Sequence, residues 1–255
     1  MSIKSETDRH WNERARSGID TAKVNIDDTV QRDLELQFVF RNIERGSRLL
    51  EVGCGNGYVT QQLRQRVAFV DAFDFAENMV ERGKQTYGET NNRFFHDSVL
   101  DPKNTKGPYD IVVCIRVLIN LRNLEEQVSA LRNIAALVKP GGKLILIEGY
   151  REGFDTISKF RTGLGMPALR PAPINYYSAL SELMPLLQRE FTIADTFHTG
   201  LFDFLTRIVY PSLVGPDQAT GASEFHSKIE PIVRAYDGPD LARFARLQGF
   251  LLIRR

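Results

Sequence analysis

The sequence predicts an α/β fold, a mostly parallel β-sheet with helices on both faces. Three observations carry that expectation. Short apolar runs alternate with helical stretches of roughly 10–15 residues up to about Tyr150, the rhythm of β-α-β units. One buried run, Arg48-Leu49-Leu50-Glu51-Val52, ends in Gly53-Cys54-Gly55-Asn56-Gly57 just where a helix must begin. The next run closes on an acid, Asp74, about 20 residues beyond Gly53.

Taken in order, Asp27 to Glu44 spaces Val30, Leu34 and Phe38 as one helical face, widened by Leu36, Val39, Phe40 and Ile43. The 48–52 strand and the glycine turn lead into a helix from Tyr58 to Arg66. Ala68–Asp74 is a second strand, Ala76–Thr86 a helix, Arg93–His96 a short strand and Tyr109–Ile115 a strongly apolar one. Asn123 to Val138 places Leu124, Val128, Leu131, Ile134 and Leu137 on one helical face. Lys139-Pro140-Gly141-Gly142 stops that helix, since proline cannot continue it and glycine accepts a left-handed turn. Lys143–Glu148 is the next strand. Beyond Tyr150 the period is lost, and Gly153 to Pro173 is expected to be a loop-rich insertion. Tyr177–Arg189 reads as a helix, Phe191–His198 as a strand and Gly249–Ile253 as a final strand, with 201–235 left without a clean period.

Lys and Arg number 33 against 32 Asp and Glu, a balance that argues against bulk nucleic-acid or polybasic membrane binding. The polar opening Met1 to His10 has no signal-peptide core, and no apolar run approaches the ~20 residues that span a bilayer. Two cysteines, Cys54 and Cys114, are too few for a disulfide scaffold, and no His/Cys spacing suggests a metal. A cytoplasmic location is expected. Both cysteines end strands expected to be neighbours; buried reduced thiols are favoured there over a redox switch.

Gly53-x-Gly55-x-Gly57 lets backbone approach a ligand closely, and an acid at the end of the following strand suits ribose hydroxyls. Together they describe a nucleoside-binding crevice. A dinucleotide fingerprint would place its third glycine at position 58, which is Tyr58. Glu51, two residues before the first glycine, is unhelpful beside a pyrophosphate, whereas a sulfonium cofactor with an α-amino group would not object to it.

The run Leu49-Leu50-Glu51-Val52-Gly53-Cys54-Gly55-Asn56-Gly57 resembles motif I of the class I S-adenosylmethionine-dependent methyltransferases. The likeness continues through Phe73-Asp74-Phe75-Ala76-Glu77-Asn78-Met79, His96-Asp97-Ser98, the Asp110–Ile115 strand and Lys139-Pro140-Gly141-Gly142, covering about residues 45–150. The resemblance implies a Rossmann-like seven-stranded, mostly parallel sheet whose last strand is antiparallel, S-adenosylmethionine as cofactor and a small-molecule acceptor. It also implies the site. Gly53, Cys54 and Gly55 would approach the methionine part, Asp74 would hold the ribose, and Phe75 and Met79 would flank the adenine. Asp97 would accept from the adenine amino group, the Ser98 N–H would meet a ring nitrogen beside Val99, and Ile115 and Arg116 would border the methionine end. The expected layout is a single domain over 1–255, with an N-terminal helical lid (1–44) and a cofactor-binding core (45–150). An acceptor-specificity insertion with a late strand and helix (151–248) precedes the last strand (249–255).

The Asn/Asp-Pro-Pro-Tyr/Phe tetrapeptide of many amino-group methyltransferases is replaced here by Cys114-Ile115-Arg116-Val117-Leu118-Ile119-Asn120-Leu121. That departure puts nucleic-acid N-methylation in doubt and leaves oxygen or carbon acceptors and small amines open. A hydroxyl oxygen on a saccharide, phosphorylated or specialised metabolite is the expected acceptor. Arg116 and Asn120, four apart on an expected helix, are catalytic candidates facing the pocket, and Arg32 on the lid is a candidate for the cofactor carboxylate. Of four scattered histidines (His10, His96, His198 and His226), His198 at the end of a late strand is the best-placed candidate base, and Tyr176 and Tyr177 either wall the acceptor pocket or pack in the core. A nicotinamide-dependent oxidoreductase and a catalytically silent cofactor-binding or scaffold protein are the competing readings. An oligomer is compatible with all of them.

Overall fold

The computed structural model describes residues 3–221 and 223–255; Met1 and Ser2 of the expected lid, and Ala222 of the expected insertion, lie outside the described residues. Among the described residues seven strands form one sheet in the order β3-β2-β1-β4-β5-β7-β6. They are β1 (Arg48–Val52), β2 (Phe69–Asp74), β3 (Asn92–His96), β4 (Tyr109–Ile115), β5 (Val138–Gly149), β6 (Phe191–His198) and β7 (Leu247–Arg254). The pairs from β3 through β5 are parallel, and β7 runs antiparallel to both β5 and β6. This is the Rossmann-like seven-stranded sheet expected from the sequence.

Alternation along each strand sends side chains to opposite faces, and both faces are covered. Leu50, Val52, Val112, Cys114, Leu144 and Leu146 point to one side, where they meet Leu131 and Ile134 of α5 (Leu124–Leu137) and Leu183 and Leu187 of α7 (Leu180–Glu190). Leu49, Val70, Ala72, Ile111, Val113 and Ile145 point to the other, against Phe38 and Val39 of α2 (Thr29–Asn42), Leu63 of α3 (Tyr58–Leu63) and Val80 of α4 (Glu77–Tyr87). The strands therefore read as continuous apolar runs.

The unexpected elements lie outside that sandwich. A polar helix, α1 (Ile3–Arg16), escapes a periodicity search because its apolar contacts are few, Trp11 and Ala15 packing on Ala76 and Met79 at the start of α4. The segment read as a loop-rich insertion begins as a helix, α6 (Arg151–Gly163). Its Gly153 is a packing glycine, because a Cβ there would stand 1.7 Å from the Ala245 carbonyl oxygen. Between β6 and β7 a helical run holds α8 (Gly200–Phe204), a π-turn at Leu205–Val209 and α9 (Tyr210–Val214), followed by α10 (Glu224–Ala235). No helix among the described residues is long and apolar enough to cross a membrane.

Candidate functional site

A cavity of about 630 Å³ opens at the carboxyl ends of β1, β2 and β4, roofed by α1 and the start of α2. Parallel strands end here together, so the loops after them converge on one crevice. The β1 loop turns through left-handed positions at Gly53 (φ 70°) and Gly55 (φ 52°). A Cβ on Gly55 would lie 2.3 Å from the Asn25 side chain, so only glycine keeps the turn under its cover.

Two buried acids stand behind that turn. The Asp74 carboxylate accepts from the Gly55 N–H (2.8 Å) and the Ala76 N–H (2.9 Å), tying the β1 and β2 loops together. Glu51 accepts from the Thr60 hydroxyl at 2.5 Å. Burial outweighs these hydrogen bonds and raises both carboxyls, Asp74 to about 6 and Glu51 to about 8, with the neighbouring Asp74 charge adding to the Glu51 shift. Among the described residues neither carboxyl forms an ion pair, an arrangement that gains by receiving a positively charged group.

The β4 loop supplies the opposite wall. Arg116 is left-handed (φ 53°), and its Nε donates to Glu35 Oε2 at 3.2 Å, while Gln31 donates to the other Glu35 oxygen at 3.0 Å. A single 3₁₀ turn, Leu118–Asn120, replaces the expected helix, yet Arg116 and Asn120 both line the cavity. Asn120 Nδ2 donates to the Arg116 carbonyl (2.8 Å), and its Oδ1 accepts from the Trp11 indole of α1 (3.3 Å). The turn hangs from Glu148 at the end of β5, whose carboxylate accepts the N–H groups of Val117 and Leu118 (2.7 Å each) and Ile119 (3.3 Å). Burial pushes the Glu148 carboxyl to about 7 despite these three donors.

Gly53, Cys54, Gly55, Asp74, Phe75, Met79, Ser98, Val99, Ile115, Arg116 and Arg32 all line the cavity. Arg32 is held over the Tyr58 ring at 4.2 Å and donates to the Ala22 carbonyl and to Asp33 (3.3 Å), so it braces the roof. Four expectations need correction. Asp97 turns away from the cavity. Its two oxygens accept from the N–H groups of Ser98, Lys103, Asn104 and Thr105 and from the Thr105 hydroxyl at 2.6–3.0 Å, which organises the loop after β3. The Ser98 N–H is consumed by the same carboxylate and is not offered to a ligand. His198 lies in a separate pocket between α2, β6 and α10, with Nε2 against the Gly238 carbonyl (3.2 Å) and Nδ1 accepting from the Gly200 N–H (3.2 Å). Among the described residues of the expected acceptor insertion only Ala172, Ile174 and Asn175 reach the cavity; Tyr177 packs at a tilt against Phe154, ring centroids 5.2 Å apart, and Tyr176 is outside the lining.

Cys54 and Cys114 are free, fully buried thiols raised well above their ordinary range by burial. The sequence pattern pointed to Glu51 without assigning it a role. Glu35, Asn25, Trp11 and His10 carried no motif at all, because they arrive from helices and turns distant in sequence.

Residues 49–142 match the family model of a methyltransferase domain. The central region is therefore similar to methyltransferase domains. A demethylmenaquinone methyltransferase of Staphylococcus epidermidis is 32% identical over 111 residues, 42% of this chain and 45% of that protein. A ubiquinone biosynthesis O-methyltransferase of Vibrio parahaemolyticus is 29% identical over 114 residues, covering 43% and 47%. The chain therefore spans about half the length of the curated relatives it matches. In fold it is similar to the N-methyltransferase NodS of Bradyrhizobium japonicum, crystallised with S-adenosyl-L-homocysteine, at a TM-score of 0.61 and 15% identity over 97% of this chain and 98% of that one. Magnesium protoporphyrin IX methyltransferase from Synechocystis gives 0.60 and 20% over 98% and 95%.

Proposed function

We propose that the protein transfers a methyl group from S-adenosylmethionine to a hydroxyl oxygen of a small molecule. The observation that carries the reading is the pair of buried carboxyls, Glu51 and Asp74, at a glycine turn on the wall of the 630 Å³ cavity. A sulfonium cofactor with an α-ammonium group matches that charge pattern, whereas the pyrophosphate of a nicotinamide dinucleotide does not. Tyr58, under the Arg32 guanidinium, also occupies the position of the dinucleotide motif's third glycine. The relatives named for menaquinone and ubiquinone methylation support a small aromatic acceptor.

When bound, the cofactor supplies an electrophilic methyl carbon and a good leaving group. Gly53 and Gly55 allow backbone to approach the methionine portion, Asp74 offers its carboxylate to the ribose and Glu51 faces the ammonium side. Arg116, steadied by Glu35, borders the cofactor carboxylate. Phe75, Met79, Val99 and Ile115 give apolar walls, and α1 closes over them to exclude water. For the reaction itself the protein must align the acceptor and take up its proton.

Calorimetry with S-adenosylhomocysteine tests the site: micromolar binding by the wild type and a loss of roughly tenfold or more in Asp74→Ala are expected, in line with about 1.5–3 kcal/mol for a hydrogen bond to a charged group. NADH binding with no S-adenosylhomocysteine binding overturns the proposal.

A further inference from the structure

We propose that His10, on the helix that roofs the cavity, is the general base that takes the acceptor's proton; this rests on the methyl-transfer reading above. His10 and its neighbour Trp11 both line the cavity, their rings 5.0 Å apart edge to face. The Trp11 indole donates to Asn120 on the β4 loop, so α1 is docked across the crevice where that loop faces the β1 turn. An acceptor entering between them meets the imidazole.

The other basic groups lining the cavity each have at least one hydrogen-bond or ion-pair partner. Glu35 is bonded to Arg116 and Gln31, and Glu51 to Thr60. Asp74 accepts two backbone N–H groups, and His96 Nε2 is 3.0 Å from the Phe75 carbonyl. Glu126 is paired with Arg122, Asp27 with Arg14, and Asp8 with Asn12 of its own helix. The His10 ring alone makes no hydrogen bond among the described residues. Partial burial lowers its pKa, Arg14 lowers it further and Glu13 opposes, which leaves a neutral imidazole at pH 7; Arg122 and Glu126 face the same cavity from the β4 side.

In the step itself, the acceptor oxygen uses a lone pair to form the new C–O bond to the methyl carbon as its O–H proton passes to an imidazole nitrogen. The C–S bonding pair goes to sulfur, leaving a neutral thioether, and the imidazolium then releases the proton to water. No oxidant or metal enters the balance.

The test compares the full-length wild type with H10Q and H10A, using catechol as an acceptor that must be deprotonated and 4-nitrocatechol as one more readily ionised at neutral pH. All three proteins should bind S-adenosylhomocysteine equally by calorimetry. In NMR spectra of the wild-type complex, the imidazole signals missing from H10Q should shift when catechol is added. H10Q should lose roughly 10²–10³-fold in kcat on catechol, with the acidic limb of the pH profile gone, and far less on nitrocatechol. Equal losses on both probes, no loss, or imidazole signals indifferent to catechol overturn the assignment of His10. A wild type that binds S-adenosylhomocysteine but methylates neither probe overturns it too, whereas a wild type that binds none refutes the methyltransferase reading itself.

Discussion

Replacing Glu51 with Gln isolates one buried ionisation. The Thr60 hydroxyl can still donate to the amide oxygen, so the packing is retained while the titrating group is removed. In the folded protein burial raises the Glu51 carboxyl from 4.5 to about 8. A raised carboxyl binds its proton more tightly in the folded than in the unfolded chain, so its stabilising effect is fully present below about pH 4.5 and is lost as pH climbs through about 8. At about 1.36 kcal/mol per unit, the wild type loses on the order of 3 kcal/mol from this group between about pH 5 and pH 8. Asp74 and Glu148 add losses of the same sign, but both persist in the variant and largely cancel in the difference. For a chain of this size, about 3 kcal/mol corresponds to roughly 6–12 °C in Tm. Urea unfolding or calorimetric melts at half-unit steps across that range should therefore show a flatter profile for E51Q than for the wild type. Parallel profiles would refute the claim that burial keeps Glu51 protonated in the folded protein. The same ionisation predicts that S-adenosylmethionine binds more tightly as pH rises over this range and releases protons, which calorimetry in buffers of different ionisation enthalpy would measure.

Three further outcomes follow from single contacts. Gly55→Ala forces a side chain into a left-handed position and against Asn25, and should cost roughly 1–2 kcal/mol from backbone strain alone, with weaker S-adenosylhomocysteine binding by calorimetry. Glu148→Ala strips the acceptor from three amide N–H groups of the 117–119 turn; at about 1–3 kcal/mol for each left buried, denaturant unfolding should shift strongly and ligand affinity should fall. Gly153→Ala drives a methyl into the Ala245 carbonyl, so α6 must part from the 239–244 turn, lowering stability by about 1–3 kcal/mol or more in thermal melts while leaving the distant crevice residues unchanged.

The parallel core was legible because its physics is local and periodic. A strand buried on both faces must be apolar throughout, and a tight β-α turn must use glycine, so β1, β2, β4 and the turn between them appear in the string of residues. Asp74 was legible for the same reason: its place at the end of β2 follows from strand length alone. Asp97 was misassigned because position after a strand does not say which way a carboxylate turns. Four backbone N–H groups in its own loop claimed it. His198 failed as a base because a strand end in β6, at the far edge of the sheet, is remote from the crevice at β1 and β4.

The sequence by itself determined the sheet, the glycine turn, the acid that follows it and hence the class of ligand. Each depends on residues close together in the chain, where spacing translates directly into geometry. Only the tertiary structure decided what closes the crevice: Trp11 against Asn120, Glu35 against Arg116 and Glu148 under the β4 turn. Those partners stand between about 30 and 110 positions apart. No periodicity links them, and they meet only because the sheet brings the loops after β1, β4 and β5 to one end and α1 and α2 fold back across it.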